Sequence, residues 1–402
     1  MNDLLIKNGL IFTFIHEGYH ALKLREADLL IEDGCIAKIA SGITASCDAL
    51  DAEGSLVLPG FIDMGSWSVA ARLMAGLLPD RRTPRAQGTL LYTQVLPMMN
   101  LAWKLLSPED AKALALHGLW TGLSTGTTTA VGLCSIIDLE AHLEAADELG
   151  MHIIPMRMGN IGGERVIRAD APAAQVKRVM KTKGTRCAFV TSSGHDTEEL
   201  RRLSDLGYLS AEALIFQPVL ADRFGRELIA ASGASAVFSA VGCVQEGRAF
   251  PGVDFLRGGI NTALATGCWG GAMLSEMRMA AFSAKQAEGD PSQYKATDAF
   301  YAATVAGGRA LGLHDRLGRL EIGMSGDLSV VDMQRLEPLS YPFIQYLYGS
   351  TATDVRHVVQ GGHVCKRDFA PPARVARRLE QTRKAVSEAI LRVWDEAQRS
   401  IL

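Results

Sequence analysis

Three kinds of side chain in this sequence have the chemistry to act on a small molecule. His16-Glu17-Gly18-Tyr19-His20 is a literal His-Glu-x-x-His run. That pattern binds zinc only on a helix, where positions i and i+4 share a face. Here a glycine sits inside the would-be turn and β-patterned segments flank it, so the run is expected to be a hairpin loop. The second kind is a thiol. Cys268 lies between Gly267 and Trp269, and paired with His195 or Glu246 as base it could serve as a metal-free nucleophile in acyl, amidine or C–N bond chemistry. The plain alternative is a small buried residue beside a glycine, the usual state of a free cysteine. The third is a set of polar and aromatic residues at expected strand ends: Ser66, Trp67, Thr191, Ser192, Asp196, Gln217, Cys243 and Trp269.

Such residues need a frame, and the chain has the length for one. Its 402 residues suffice for a large barrel plus a smaller module. Hydrophobic residues at 48% and charged ones at 21% indicate a well-cored globular protein. The net charge of −3, with basic residues scattered, argues against nucleic acid as a partner. No apolar run approaches the roughly 18 residues of a membrane helix, and the N-terminus lacks a signal-peptide plan. A cytoplasmic protein acting on a small molecule, away from membranes, is the expectation. The seven cysteines, Cys35, Cys47, Cys134, Cys187, Cys243, Cys268 and Cys365, form no Cys-x-x-Cys pair and imply reduced thiols.

The elements follow from periodicity. Residues 1–58 give short strands punctuated by Asn8-Gly9 and Asp33-Gly34 turn signals. From 59 to 322, apolar runs alternate with helix-like stretches, as in a parallel βα architecture. Phe61–Met64, Gly126–Gly132, 151–158, Cys187–Thr191, Ala213–Val219, Ser235–Ala240 and Ile260–Thr266 read as strands, with an eighth sought in 80–106. Ser107 caps a helix to about Trp120, and helices are expected over 138–149 and 196–206, Asp196 serving as a cap. Segment 323–370 returns to strands, and 371–402 is an amphipathic helix expected to pack first on the body of the chain, with a homodimer contact as the alternative. His117, His142 and His152 fall on elements away from the strand ends and are expected to be structural. Gly159-Asn160-Ile161-Gly162-Gly163, with Arg157, Arg165 and Arg168 nearby, is a weak anion-loop signal.

Several runs resemble the amidohydrolase superfamily, in its triazine chlorohydrolase and nucleobase deaminase branch. They are Pro59-Gly60-Phe61-Ile62-Asp63, Gly34-Cys35-Ile36, Thr125-Gly126-Thr127-Thr128, Gly307 to Leu313, Gly318 to Gly323, Gly326-Asp327-Leu328 and Val355 to Gly362. The resemblance implies an α/β fold: a distorted (β/α)8 TIM barrel over 59–322 with a composite β-sandwich from both chain ends, 1–58 and 323–370. It also implies a catalytic metal held by His-x-His after the first barrel strand, His residues on the fifth and sixth, a Glu three residues past the fifth, and an Asp after the eighth. In this sequence those positions fall on Gly65 and Trp67, Thr191, Gln217, Gly194 and Gly267.

A catalytic divalent site needs about three or four N/O donors. Glycine offers none, an indole N–H only donates, and Thr or Gln oxygens are weak neutral ligands. Without the ion, nothing brings water from a pKa near 15.7 to about 7. Three readings follow. One is a metal-free enzyme for a small nitrogen-containing molecule, without cofactor, with Cys268, His195 and Glu246 as catalytic residues. Its substrate would be bound by Trp67, Ser66, Thr191, Ser192, Gln217 and Trp269. Another is an inactive relative that binds a ligand or a partner chain, its mouth filled by Trp67 and Trp269. The last is a metallohydrolase with relocated ligands such as His195, Asp196 and Glu246.

Overall fold

The computed structural model describes residues 3–14, 22–75, 90–135, 138–158, 166–168, 187–191 and 195–400. The N-terminal strands are β1 (Leu4–Phe14), β2 (Leu22–Glu32), β3 (Cys35–Ala40), β4 (Asp48–Asp51) and β5 (Ser55–Pro59). Asp33-Gly34 makes the expected tight turn, both residues at positive φ. Asn8-Gly9 does not turn the chain. It is a register shift inside β1, with Asn8 at φ 58°, and the strand runs on against β2 to Phe14.

Eight parallel strands follow: β6 (Phe61–Ser66), β7 (Thr127–Ser135), β8 (His152–Met158), β9 (Val166–Arg168), β10 (Cys187–Val190), β11 (Ala213–Phe216), β12 (Ser235–Phe238) and β13 (Thr262–Leu264). They pair in sequence order. The edges meet: Ser66 bridges Gly267 in parallel, and the Gly267 N–H donates to the Gly65 carbonyl at 2.8 Å. Buried Asp63 ties this seam, accepting from the Gly65 and Thr266 amides at 3.0 and 2.9 Å and from the Thr266 hydroxyl at 2.5 Å. Every residue of β11 and β12 is buried, as in parallel strands covered on both faces.

β14 (Leu328–Asp332), β15 (Val355–Gln360) and β16 (His363–Lys366) return to the first sheet, whose order is β16-β15-β14-β5-β1-β2-β3 with β4 also on β1. Both chain ends thus share one sheet. The chain is a mixed α/β protein.

The sought eighth strand lies at Val166–Arg168. Leu91–Leu105 within the 80–106 stretch is instead a π-turn running into a helix, and 76–89 lie outside the described residues. Ser107 caps Pro108–Leu123 through a capping box with Asp110, and the helix ends at Leu123, a little beyond the expected Trp120. The His16–His20 run and the Gly159–Gly163 loop also fall outside the described residues.

Candidate active site

A cavity of about 90 Å³ opens at the C-terminal ends of the parallel strands, enough for several waters. Among its walls are Gly65, Trp67, Thr191, Gln217 and Gly267, each from a different strand end except the first two. The remainder is mostly apolar, with Leu133, Val190, Phe216 and Val219, together with the polar group Ser239, Cys243, Glu246, Cys268 and Trp269.

Geometry explains why these residue types fill their positions. A Cβ on Gly65 would stand 2.8 Å from the Phe216 ring, which occupies the space a side chain there would need. Gly267 has φ +60°, a backbone region that side-chain-bearing residues seldom adopt. Thr191 spends its hydroxyl on the Gln217 carbonyl at 2.8 Å. Gln217 itself sits at φ +56°, a strained conformation for a non-glycine residue. Its Nε2 donates to the Ser239 carbonyl at 3.4 Å, and its Oε1 accepts from Cys243 Sγ at 3.7 Å. Among the described residues, no three His, Cys, Asp or Glu side chains converge to hold a metal ion.

Titration states follow from burial. It pushes the Cys268 thiol up to about 12 and Cys243 higher still, so both face the cavity as neutral thiols at pH 7. Burial also raises Glu246, against the opposing Arg248 charge and a hydrogen bond from the Leu90 amide. Behind the wall, buried Glu276 is raised to about 8 by desolvation. Its Oε1 accepts from the Ser239 hydroxyl at 2.9 Å and its Oε2 from the Val241 amide at 3.1 Å.

The expected site residues divide accordingly. Trp67, Thr191, Gln217, Cys243, Glu246, Cys268 and Trp269 come together on one cavity. His195 does not. It is exposed, at the start of helix Asp196–Asp205 and outside the lining, so the expected Cys268–His195 pairing is not assembled. Asp196 is no cap: it is the first helical residue, buried, and holds the Leu220 amide at 2.8 Å. Ser66 joins the seam rather than the lining, and Ser192 lies outside the described residues. Ser239 and Glu276 went unrecognised in the sequence. Glu276 falls on the buried stripe of Met273, Met277 and Ala280, and a carboxyl on an apolar helix face was the available signal. His142 is structural as expected, buried between Ser68 Oγ at 2.7 Å and the Asp138 carbonyl at 2.8 Å. His152 instead is exposed, 3.9 Å from Asp327.

Residues 234–365 match the family model described as the amidohydrolase family. A 5-methylthioadenosine/S-adenosylhomocysteine deaminase of Thermococcus onnurineus is 25% identical, covering 91% of this chain and 94% of that protein. A 5′-deoxyadenosine deaminase of Methanosarcina mazei is 24% identical over 98% and 100%. Among solved structures, atrazine chlorohydrolase of Arthrobacter aurescens, complexed with zinc, has a TM-score of 0.80 at 18% identity over 95% of this chain and 99% of that one. An adenosine deaminase of Xanthomonas campestris with bound zinc has a TM-score of 0.75 at 19% identity over 96% and 99%. The fold and site define an α/β protein with its cavity at parallel strand ends. With these matches and the ordered motifs, the chain is similar to proteins of the amidohydrolase superfamily.

Proposed function

We propose that this amidohydrolase-like protein binds a small nitrogen-containing molecule at the strand ends and hydrolyses a C–N bond in it without a metal ion. One observation carries the reading. The positions where the resemblance implies metal ligands gather on one cavity wall, and the residues there, Gly65, Trp67, Thr191, Gln217 and Gly267, do not fit a divalent ion. On this reading the parallel strands are the family's barrel and the two-ended sheet its composite β-sandwich. The relatives named as deaminases of 5-methylthioadenosine, S-adenosylhomocysteine and 5′-deoxyadenosine support a nitrogen-containing substrate.

Glu246 is the acid of the proposed reaction. It lies on the cavity, and burial favours its protonated form, which can give a proton to the departing nitrogen. Elemental analysis of protein purified without chelator, and again after zinc loading, tests the first half. Less than about a tenth of an equivalent is expected, and near-stoichiometric metal would overturn the reading. A screen of amidines, aminopyrimidines and purines tests the second half. Glu246→Gln should lower kcat by roughly 10²-fold or more, and an unchanged kcat would remove Glu246 from the chemistry.

A second reading, ligand binding without turnover, is favoured by the apolar wall of Leu133, Val190, Phe216 and Val219. A compound that raises Tm yet is recovered unchanged from the wild-type protein would support it.

A further inference from the structure

The cavity also carries an activated hydroxyl. Ser239 follows β12 directly, lines the cavity and caps helix Ala240–Gln245, accepting from the Gly242 amide at 2.9 Å. Its hydroxyl donates to Glu276 Oε1 at 2.9 Å, within reach for proton transfer. The Glu276 carboxyl is oriented in turn by the Val241 amide, so nucleophile, base and orienting group stand in a row. Beside them is a donor. A Cβ on Gly242 would lie 2.5 Å from Trp269 Nε1 and 3.1 Å from Ser239 Oγ, so the indole nitrogen and the hydroxyl flank the same glycine. That indole N–H donates to no acceptor among the described residues, and Trp269 lines the same cavity. The thiols have no such partner. Cys243 Sγ donates to the neutral amide of Gln217, which cannot take a proton from it.

We infer that Ser239 is the nucleophile of this site, with Glu276 as its base and the Trp269 N–H as donor to the atom on which negative charge develops. This rests on the metal-free C–N reading and names the step it left open. Ser239 Oγ bonds to the electrophilic carbon while its proton passes to the ionised form of Glu276, whose share grows as pH rises toward about 8. The C–N bond then breaks, and the departing nitrogen takes the proton of Glu246. Water adds to the carbon bound to Ser239 and returns a proton to Glu246. The Ser239–carbon bond breaks, and the serine oxygen recovers its proton from Glu276. The sum is one water consumed and one C–N bond replaced by C–O.

The test treats the full-length protein with a small alkyl fluorophosphonate and reads intact mass and the modified peptide. One adduct on Ser239 is expected. Ser239→Asn keeps a helix-capping side chain but has no nucleophilic hydroxyl, so it should stay folded by its melting curve and lose the adduct and turnover at least about 10²-fold. Glu276→Gln should slow labelling by a similar factor. No adduct, an adduct on Cys243 or Cys268, or full turnover in Ser239→Asn would overturn the assignment. Full turnover in Ser239→Asn with loss in Glu246→Gln would leave the metal-free reading standing. Stoichiometric metal would remove that reading itself.

Discussion

At Gly65 the missing side chain is answered by a neighbour: the Phe216 ring fills the space, with Ala265 Cβ 3.2 Å from where a Cβ would sit. Restoring an imidazole there therefore meets a packed wall. Gly65→His should destabilise by about 1–3 kcal/mol, the usual cost of overpacking. Zinc should not offset the loss, because Trp67, Thr191, Gln217 and Gly267 supply no further strong donors. Denaturant melts with and without zinc would check this, and a zinc-dependent rise in midpoint would contradict it. The replacement of donors was legible in residue types alone, since Gly65 and Gly267 carry no side chain. That Phe216 fills the gap was not, because the two lie on strands separated by some 150 residues of sequence and only the ring's orientation brings them together.

At the scale of elements, strands announced by β-branched or fully apolar runs were legible: Thr127–Ser135 and Ala213–Phe216 both lie where the pattern puts them. β9 was not, because three residues give no period to read. The Asn8-Gly9 signal failed for another reason: a bulge and a turn both favour residues that tolerate positive φ. Helix Met273–Glu288 shows how an element carries a site residue, since its inward face delivers Glu276 to Ser239 on a different loop. That burial has a thermodynamic signature. With a folded-state pKa of about 8 against an ordinary 4.5, Glu276 holds a proton in the folded chain that the unfolded chain has released. Its contribution is fully present below the unfolded value, and stability falls as pH rises from about 4.5 through about 8. Glu276→Gln should flatten that part of the pH–stability profile, measured by denaturant melts across the window; an unaltered slope would assign the dependence to other groups.

For the molecule as a whole, the cavity is braced from outside by the C-terminal helix Ala373–Ser400. Val386, Ala389, Val393 and Ala397 are buried along it, and His117 meets Thr382 at 2.9 Å. Its decisive contact is Trp394, whose indole N–H donates to the Leu73 carbonyl at 2.6 Å. Leu73 lies in helix Ser68–Met74, which begins immediately after Trp67 on the cavity wall, while Ser68 is held by His142 at the opposite end of that helix. A contact made by the last element of the chain thus fixes the far end of the short helix behind the site. Trp394→Phe keeps an aromatic ring and deletes the donor, leaving a buried carbonyl without its partner. A loss of about 1–3 kcal/mol is expected, the cost of one unsatisfied buried group. Hydrogen exchange distinguishes a local from a general effect. Peptides covering 68–75 should exchange faster in the variant while those covering β11 and β12 keep their protection. Uniform acceleration would mean that the helix stabilises the whole body and has no special hold on Trp67, and unchanged exchange at 68–75 would mean that the bond is idle.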